Sequence, residues 1–342
     1  MLIEHQKRWK MPPGEDGGGK IPLLVLIGPT AVGKTALSLS LAEQWNAEII
    51  SGDSMQVYRE MDIGTAKIKV EERRGIRHHL IDIVDPDQPY SAADFQNDAR
   101  NAIAEIAARG KLPFIVGGTG LYIESLCYDY RFAEQGSDEA FRARQEAYAA
   151  SHGAEALHGR LAEVDPESAE RLHPNDLRRV IRALEVHHLT GEPFSKQQAG
   201  QRKESPYELI ILGLTMERAA LYQRIEERID GMLAEGLQAE VERLMKRVPQ
   251  PHPTPLQALG YKELAAYLRG ELSYEAAVEL LKRDTRRFAK RQLSWFRHMN
   301  EIHWFDTNEN IQEKLNAIHG IIAGKFQGYL EYNSNQSLVD GG

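Results

Sequence analysis

Cysteine is all but missing from this chain: its 342 residues contain one, Cys127. A single thiol excludes an internal disulfide framework and any zinc finger, and such sparing use fits a reducing cytoplasm. Cys127 itself reads as a small packed hydrophobe. No run of about eighteen consecutive apolar residues occurs, which removes a membrane-spanning helix. The opening "MLIEHQKRWKMPPGEDGGGK" is charged, with no apolar middle and no small-residue cleavage site, so it does not read as a signal peptide. Residues 1–21 are expected to form a flexible arm. The end, "FQGYLEYNSNQSLVDGG", is polar and is expected to be disordered. Positive charge is short as well, since 42 Lys and Arg face 50 Asp and Glu for a net charge of −8. That balance argues against a protein that coats nucleic acid over its whole surface, yet leaves room for a local basic groove. Internal repeats and low-complexity segments are also lacking.

What is present is alternation. Short apolar, β-rich runs recur between helical patterns: "LLVLI" (Leu23 to Ile27), "EIIS" (Glu48 to Ser51), "HLIDIV" (His79 to Val84), "PFIVG" (Pro113 to Gly117) and "LIILGLT" (Leu209 to Thr215), with "EIHWFD" adding a late strand. Near-continuous apolar strands alternating with helices predict an α/β fold with a parallel sheet covered on both faces. "SAADFQNDARNAIAEIAARG" predicts a crossover helix, with Ser91 as N-cap, Asp94 completing a capping box and Gly110 as the stop. From 129 to 200 the strands vanish and the pattern turns charged and helical, which predicts a helical insertion. The expected organisation is an arm (1–21), an α/β core (22–128 and 201–306), the insertion (129–200) and a C-terminal helix and tail (307–342).

Chemistry concentrates at "GPTAVGKT", Gly28 to Thr35, set between a buried strand and a helix that opens at Lys34. This is a phosphate-binding loop of the P-loop NTPase kind. The backbone of Gly28, Pro29, Thr30, Ala31, Val32 and Gly33 can converge on phosphate oxygens, Lys34 adds a full positive charge, and the Thr35 hydroxyl can ligate Mg²⁺. Asp53 falls just past the second strand on the same rim, where an acid can hold Mg²⁺, take a proton from a nucleophile, or simply cap a turn. "GGTGLY" (Gly117 to Tyr122) ends another strand there, and its glycines allow close backbone approach to a ligand or make a plain tight turn.

Two basic stretches stand out against the acidic background. "HPNDLRRVIRALEVHH" offers Asn175 or Asp176 as N-cap, then Arg178, Arg179 and Arg182, with Arg178 and Arg182 sharing a helix face. "LKRDTRRFAKRQLSWFR" repeats cations from Arg283 to Arg297, interleaved with Phe288, Trp295 and Phe296. Each is either a solvated helix face or part of a groove for an RNA backbone. The pairs His78-His79 and His187-His188 lack ligand spacing and accompanying acids or thiols, so packing is the better reading.

Taken together, "GPTAVGKT", "SGDSMQVYREMDIGTAK", "HHLIDIVDP", "YSAADF", "VGGTGLY", "HPNDLRRVIRALEV", "YQRIEERI" and "AKRQLSWFR" closely resemble the bacterial tRNA dimethylallyltransferases, in order, over residues 22 to 306. The arm and tail lie outside the resemblance, and the lone cysteine means that the zinc finger of eukaryotic relatives is missing. The resemblance implies transfer of the dimethylallyl group of dimethylallyl diphosphate to the exocyclic amine of the adenosine on the 3′ side of the anticodon, in tRNAs reading codons that begin with U. On that reading Thr30 and Arg228 would hold the diphosphate and Asp53 would accept the proton. Asp53, Ser54, Met55 and Gln56 would meet tRNA, as would Leu177, Arg178, Arg179, Val180 and Ile181 together with Arg182, and Thr119 would lie near the extruded base. The insertion would grip the anticodon stem-loop. Mg²⁺ would be the cofactor, and the enzyme would act in the cytoplasm as a monomer without a protein partner or membrane. A P-loop kinase of a small metabolite or nucleotide is the main alternative, predicting ATP turnover and no need for the basic helices. A prenyltransferase of free adenine nucleotides and a nucleotide-sensing RNA-binding switch are the others.

Overall fold

The apolar runs become strands because their branched side chains fill both faces of a sheet. The computed structural model describes residues 8–10, 19–132, 136, 138–199, 204–248, 254–308 and 310–331. In chain order these form β1 (Arg8–Trp9), β2 (Pro22–Ile27), α1 (Lys34–Trp45), β3 (Ala47–Gly52), β4 (His78–His79), α2 (Ala92–Ala108), β5 (Leu112–Gly117) and α3 (Gly120–Cys127). Helices α4 (Glu139–His152), α5 (Ala154–Val164), α6 (Pro166–Arg171), α7 (Leu177–Thr190) and α8 (Phe194–Ala199) follow, with no strand among the described residues. Then come β6 (Glu208–Thr215), α9 (Arg218–Ala234), α10 (Leu237–Arg247), α11 (Tyr261–Leu268), α12 (Tyr274–Phe296), β7 (Ile302–Asp306), α13 (Ile311–Lys325) and β8 (Leu330–Glu331).

Six strands make one parallel sheet in the order β4-β3-β5-β2-β6-β7. The chain moves one way across the sheet from β2 through α1 to β3, and back the other way through α2 to β5. Right-handed crossovers in opposite directions put α1 and α2 on opposite faces. Every residue of β2 is buried, and Leu24, Leu26 and Phe114 join Leu41 and Trp45 of α1 in the main core. The capping box of α2 forms as expected, Ser91 N–H donating to Asp94 at 2.8 Å.

The chain divides into two units, residues Met1–Cys127 with Ser205–Gly342, and Tyr128–Glu204. The regular elements of the second are all helices among its described residues, with Leu157, Leu161, Val180, Ala183 and Leu184 in its own core. Two buried carboxylates hold it. Asp165 caps α6 through Ser168 N–H (3.0 Å) and accepts from Ser195 N–H (2.9 Å) and its hydroxyl (2.6 Å). Glu185, fully buried, accepts from Asp138 N–H, Arg142 and Arg182.

Four expectations need correction. "HLIDIV" pairs with the sheet only at His78–His79, because Leu80 and Asp82 adopt left-handed backbone (φ 60° and 57°) that breaks the extended run. The stretch "RAALYQRIEERIDGMLAEGLQAEVERLMKR", whose amphipathic pattern predicts one long helix, is two helices, divided at Gly236, whose φ of 102° ends the first and caps the second. The arm is anchored at Arg8–Trp9: Trp9 is 2% exposed, donates its indole N–H to the Trp45 carbonyl (2.7 Å) and meets the Phe326 ring edge-on. The expected disorder of the tail does not hold for its start, where Phe326 is fully buried and Leu330–Glu331 pairs with Arg8–Trp9. Residues 1–7, 11–18 and 332–342 lie outside the described ones.

Candidate active site

Strand register builds the site. Gly117 is level with Ile27 and Gly52, so β2, β3 and β5 end on one line, while β6, whose Gly213 is level with Ile27, runs on to Thr215. The next residues, Gly28, Asp53 and Gly118, therefore open the loops of a single rim at the carboxyl ends of the sheet. Neighbouring strands β2 and β5 lead away in opposite directions, which makes this the switch point where α/β sheets bind ligands.

Gly28 has a φ of 154° and is tight against the Leu214 carbonyl, so a side chain there would collide. Gly33, with a φ of 103°, turns the loop into α1. Lys34 donates to the Gly28 and Pro29 carbonyls, both at 2.8 Å, lying back across its own loop. Removal from water and, to a lesser degree, the nearby Arg228 charge bring its pKa down to about 7 against the opposing pull of Asp53. Arg228 on α9 is likewise held below its usual range by burial and supported by Asp53. Thus Lys34 and Arg228 share the field of one carboxylate. Asp53 itself uses one oxygen to accept Met55 N–H at 2.8 Å. Thr119, after β5, accepts Ser54 N–H at 3.1 Å and so ties the β5 loop to the Asp53 loop.

Thr35 is exposed on the first turn of α1. Its hydroxyl and the Asp53 carboxylate are hard oxygen donors of the kind Mg²⁺ prefers, and no group of three or more His, Cys, Asp or Glu able to hold a metal exists among the described residues. Such a sparse set fits an ion that keeps its waters and phosphate oxygens.

The residues expected to face RNA fall into distinct environments. Ser54 and Met55 are half-buried on the rim. Gln56 accepts the Ser51 hydroxyl (2.9 Å) and donates to the Thr65 carbonyl (3.2 Å), so its amide is already engaged. On α7, Val180 and Ile181 point into the core of the helical unit, and Arg182 is bound to Glu185 at 2.6 Å. Leu177 is half-buried, and Arg179 is exposed with Asp176 at 3.5 Å. Arg178 is exposed and has no ion pair among the described residues. The exposed face of α12 carries Arg283, Arg287, Lys290 and Arg291, and Arg297 caps its end; the first two pair with Asp284, and Lys290, Arg291 and Arg297 have no ion pair among the described residues.

Comparison with known proteins fits this geometry. The family described as IPP transferase matches residues 56–299, and the one described as isopentenyl transferase matches residues 21–88. A tRNA dimethylallyltransferase of Bacillus licheniformis is 56% identical over 310 residues, covering 90% of this chain and 98% of that protein. The chain belongs to the IPP transferase family. Its relative in Bacillus subtilis, also named tRNA dimethylallyltransferase, is 51% identical over 90% of this chain and 98% of that protein. Among solved structures, the full-length tRNA isopentenylpyrophosphate transferase of Bacillus halodurans superposes with a TM-score of 0.69 at 49% identity, covering 90% of this chain and 98% of that one. A eukaryotic dimethylallyltransferase acting on tRNA gives a TM-score of 0.75 at 32% identity, covering 93% of this chain and 82% of that one.

For this family member, sequence reasoning missed the residues that brace the rim. Gln292 accepts from Thr30 N–H (3.0 Å) and donates to the Gly118 carbonyl (2.9 Å). Glu240 accepts from Asp62, Ile63 and Gly64 N–H groups (3.0, 2.9 and 3.0 Å) and from the Tyr261 hydroxyl (2.6 Å), fixing the turn that precedes Thr65. Lys67, its ammonium buried, binds Asp62 and Asp82 at 2.7 and 2.5 Å. A signal was present for two of them: Glu240 interrupts the apolar stripe Leu237, Val241, Leu244, and Gln292 the stripe Ala289, Leu293, Phe296. The glycines of "GGTGLY" answer to protein rather than ligand. A Cβ at Gly117 would strike the Gly52 backbone, one at Gly118 the Gln292 amide, and one at Gly120 the Trp295 ring.

Proposed function

We propose that this chain transfers the dimethylallyl group of dimethylallyl diphosphate to the exocyclic amine of the adenosine on the 3′ side of the anticodon of tRNA, in tRNAs reading codons that begin with U. The observation that carries the reading is the Asp53 carboxylate set on the phosphate-loop rim within the field of Lys34 and Arg228, in a chain whose relatives bear a tRNA-modifying name. That name does not favour the kinase alternative.

As the amine nitrogen bonds to the allylic carbon, the carbon–oxygen bond breaks and its electron pair leaves with the diphosphate. Loop N–H groups, Lys34 and Arg228 meet the charge that grows on the bridging oxygen. The amine gives its proton to Asp53, whose help is needed because the nitrogen lone pair is delocalised into the adenine ring. Mg²⁺, held by Thr35 and by phosphate oxygens, would supply further neutralisation of the leaving group. An amine inside a stacked loop is out of reach, so the nucleotide turns out towards Thr119 and Asp53. The free cations of α12, with Arg178 of α7, suit the RNA backbone. The reading includes a cytoplasmic location, where tRNA is modified, and a monomer without an obligate protein partner. Incubating the protein with unmodified tRNA and labelled dimethylallyl diphosphate, then digesting to nucleosides, should put the label on one adenosine beside the anticodon. Label on other nucleotides, or on free adenine nucleotides alone, would falsify the assignment.

A further inference from the structure

Gln292 is 6% exposed, and its side chain lies among the loops of the rim rather than in a cavity of its own. Its orientation is unambiguous. Thr30 N–H can only donate and the Gly118 carbonyl can only accept, so Oε1 must face the first (3.0 Å) and the amide nitrogen the second (2.9 Å). Thr30 belongs to the phosphate loop. Gly118 precedes Thr119, which holds Ser54 beside Asp53. One amide thus closes a hydrogen-bonded path from the loop that would carry the donor to the loop that carries the base: Thr30, Gln292, Gly118, Thr119, Ser54, Asp53. The glycine at 118 exists in the space this amide needs, since a Cβ there would run into it. One turn on, Trp295 presses on Gly120 and donates to Glu124 at 2.8 Å, fixing this face of α12 against the same strand end.

We propose that Gln292 is a positioning residue for the transfer step: it sets the spacing between the diphosphate loop and Asp53, and so the alignment of allylic carbon and amine. The proposal rests on the transfer reading above. Misplacement by about 1 Å costs on the order of 10²-fold in rate, while affinities made elsewhere persist. The test uses Gln292→Met, which keeps the volume and removes both bonds, and Gln292→Glu, whose carboxyl can replace both bonds when protonated but cannot donate to Gly118 when ionised. With wild type transferring label under the same conditions, the Met variant should lose roughly 10- to 100-fold in kcat, with tRNA Kd unchanged and donor KM altered far less. The ratio of Glu-variant to wild-type kcat should climb as pH falls, whereas the Met ratio stays flat. A folded Met variant within twofold of wild-type kcat, or a Glu ratio that does not respond to pH, overturns the proposal alone. If the Met variant does not fold, the pH response of the Glu variant decides. A wild-type protein that transfers no label overturns the transfer reading and this proposal together.

Discussion

Two clusters in this molecule have the same inventory, one carboxylate with two cations, and opposite uses for it. In the helical unit, Glu185 is fully buried, and Arg142, Arg182 and Asp138 N–H occupy its two oxygens. Burial pushes its carboxyl up, and the bonds from the two arginines more than offset this and hold it below its usual range. Both oxygens of that carboxylate are taken up inside the fold. On the rim of the sheet, Asp53 is half-buried and its oxygen contact is with Met55 N–H, while Lys34 leans on loop carbonyls instead. The rim charges feel one another without neutralising one another. Charge that is near a partner but not consumed by it can respond to a phosphate or a proton; charge closed into a bidentate knot can only hold the fold.

Exchanging the two carboxylates for amides should separate these uses most sharply. Asp53→Asn should lower kcat on the order of 10²-fold or more, with tRNA affinity and melting temperature close to native. Glu185→Gln should do the reverse, costing about 2 kcal/mol of stability, below the range for a fully buried pair because both arginines are a third exposed, with native kcat per folded molecule. Steady-state kinetics and thermal melts on both variants decide it, and loss of kcat in the Glu185 variant would break the comparison. Arg228→Ala comes next, with donor KM raised and kcat lowered, each roughly tenfold or more, because on the proposed function its charge would serve bound donor and departing diphosphate alike.

A smaller effect is expected from pH. Lys34 has a pKa of about 7 in the free protein against an ordinary 10.5. A bound diphosphate favours the ammonium, so binding above pH 7 takes up a proton, and donor affinity should fall by up to about tenfold per pH unit as pH rises from there. Lys34→Arg, which stays charged, should flatten that dependence in a binding titration. The same shift means that the unfolded chain holds this proton more tightly between about pH 7 and 10.5, so Lys34 contributes a gain in free-protein stability as pH climbs through that window. The smallest effect concerns RNA grip. Replacing Lys290, Arg291 and Arg297 by Ala should flatten the salt dependence of tRNA binding by about one per lost phosphate contact. Arg182→Ala should leave the slope alone and lower stability, since its charge is bound to Glu185. Filter binding at several salt concentrations distinguishes them.

Much of this was readable in the sequence because it is local. The phosphate loop, the Ser91 cap and the strand runs depend on residues a few places apart. Asp53 was legible because parallel strands must deliver their ends to one rim. What escaped depends on partners far along the chain: Gln292 is 262 positions from Thr30, and Trp9 is 36 from Trp45. A single tryptophan in a charged arm offers no period to read. Nor could the basic pattern of α7 and α12 reveal which cations are free. That depends on which acids end up within reach: Glu185, three residues along α7, takes Arg182 and also binds the distant Arg142, whereas Lys290, Arg291 and Arg297 have no ion pair among the described residues. Polar residues on apolar helical stripes, as at Glu240 and Gln292, were the available warning.

The account stands on the claim that the phosphates held by Gly28 to Thr35 belong to an allylic diphosphate and leave intact. The direct measurement is to mix the protein with unmodified tRNA and either dimethylallyl diphosphate or ATP, and to follow diphosphate release against group transfer in the same tube. The account predicts one diphosphate released for each dimethylallyl group found in tRNA, and no transfer from ATP. Hydrolysis of ATP that proceeds without tRNA, with no dimethylallyl group transferred, would contradict it.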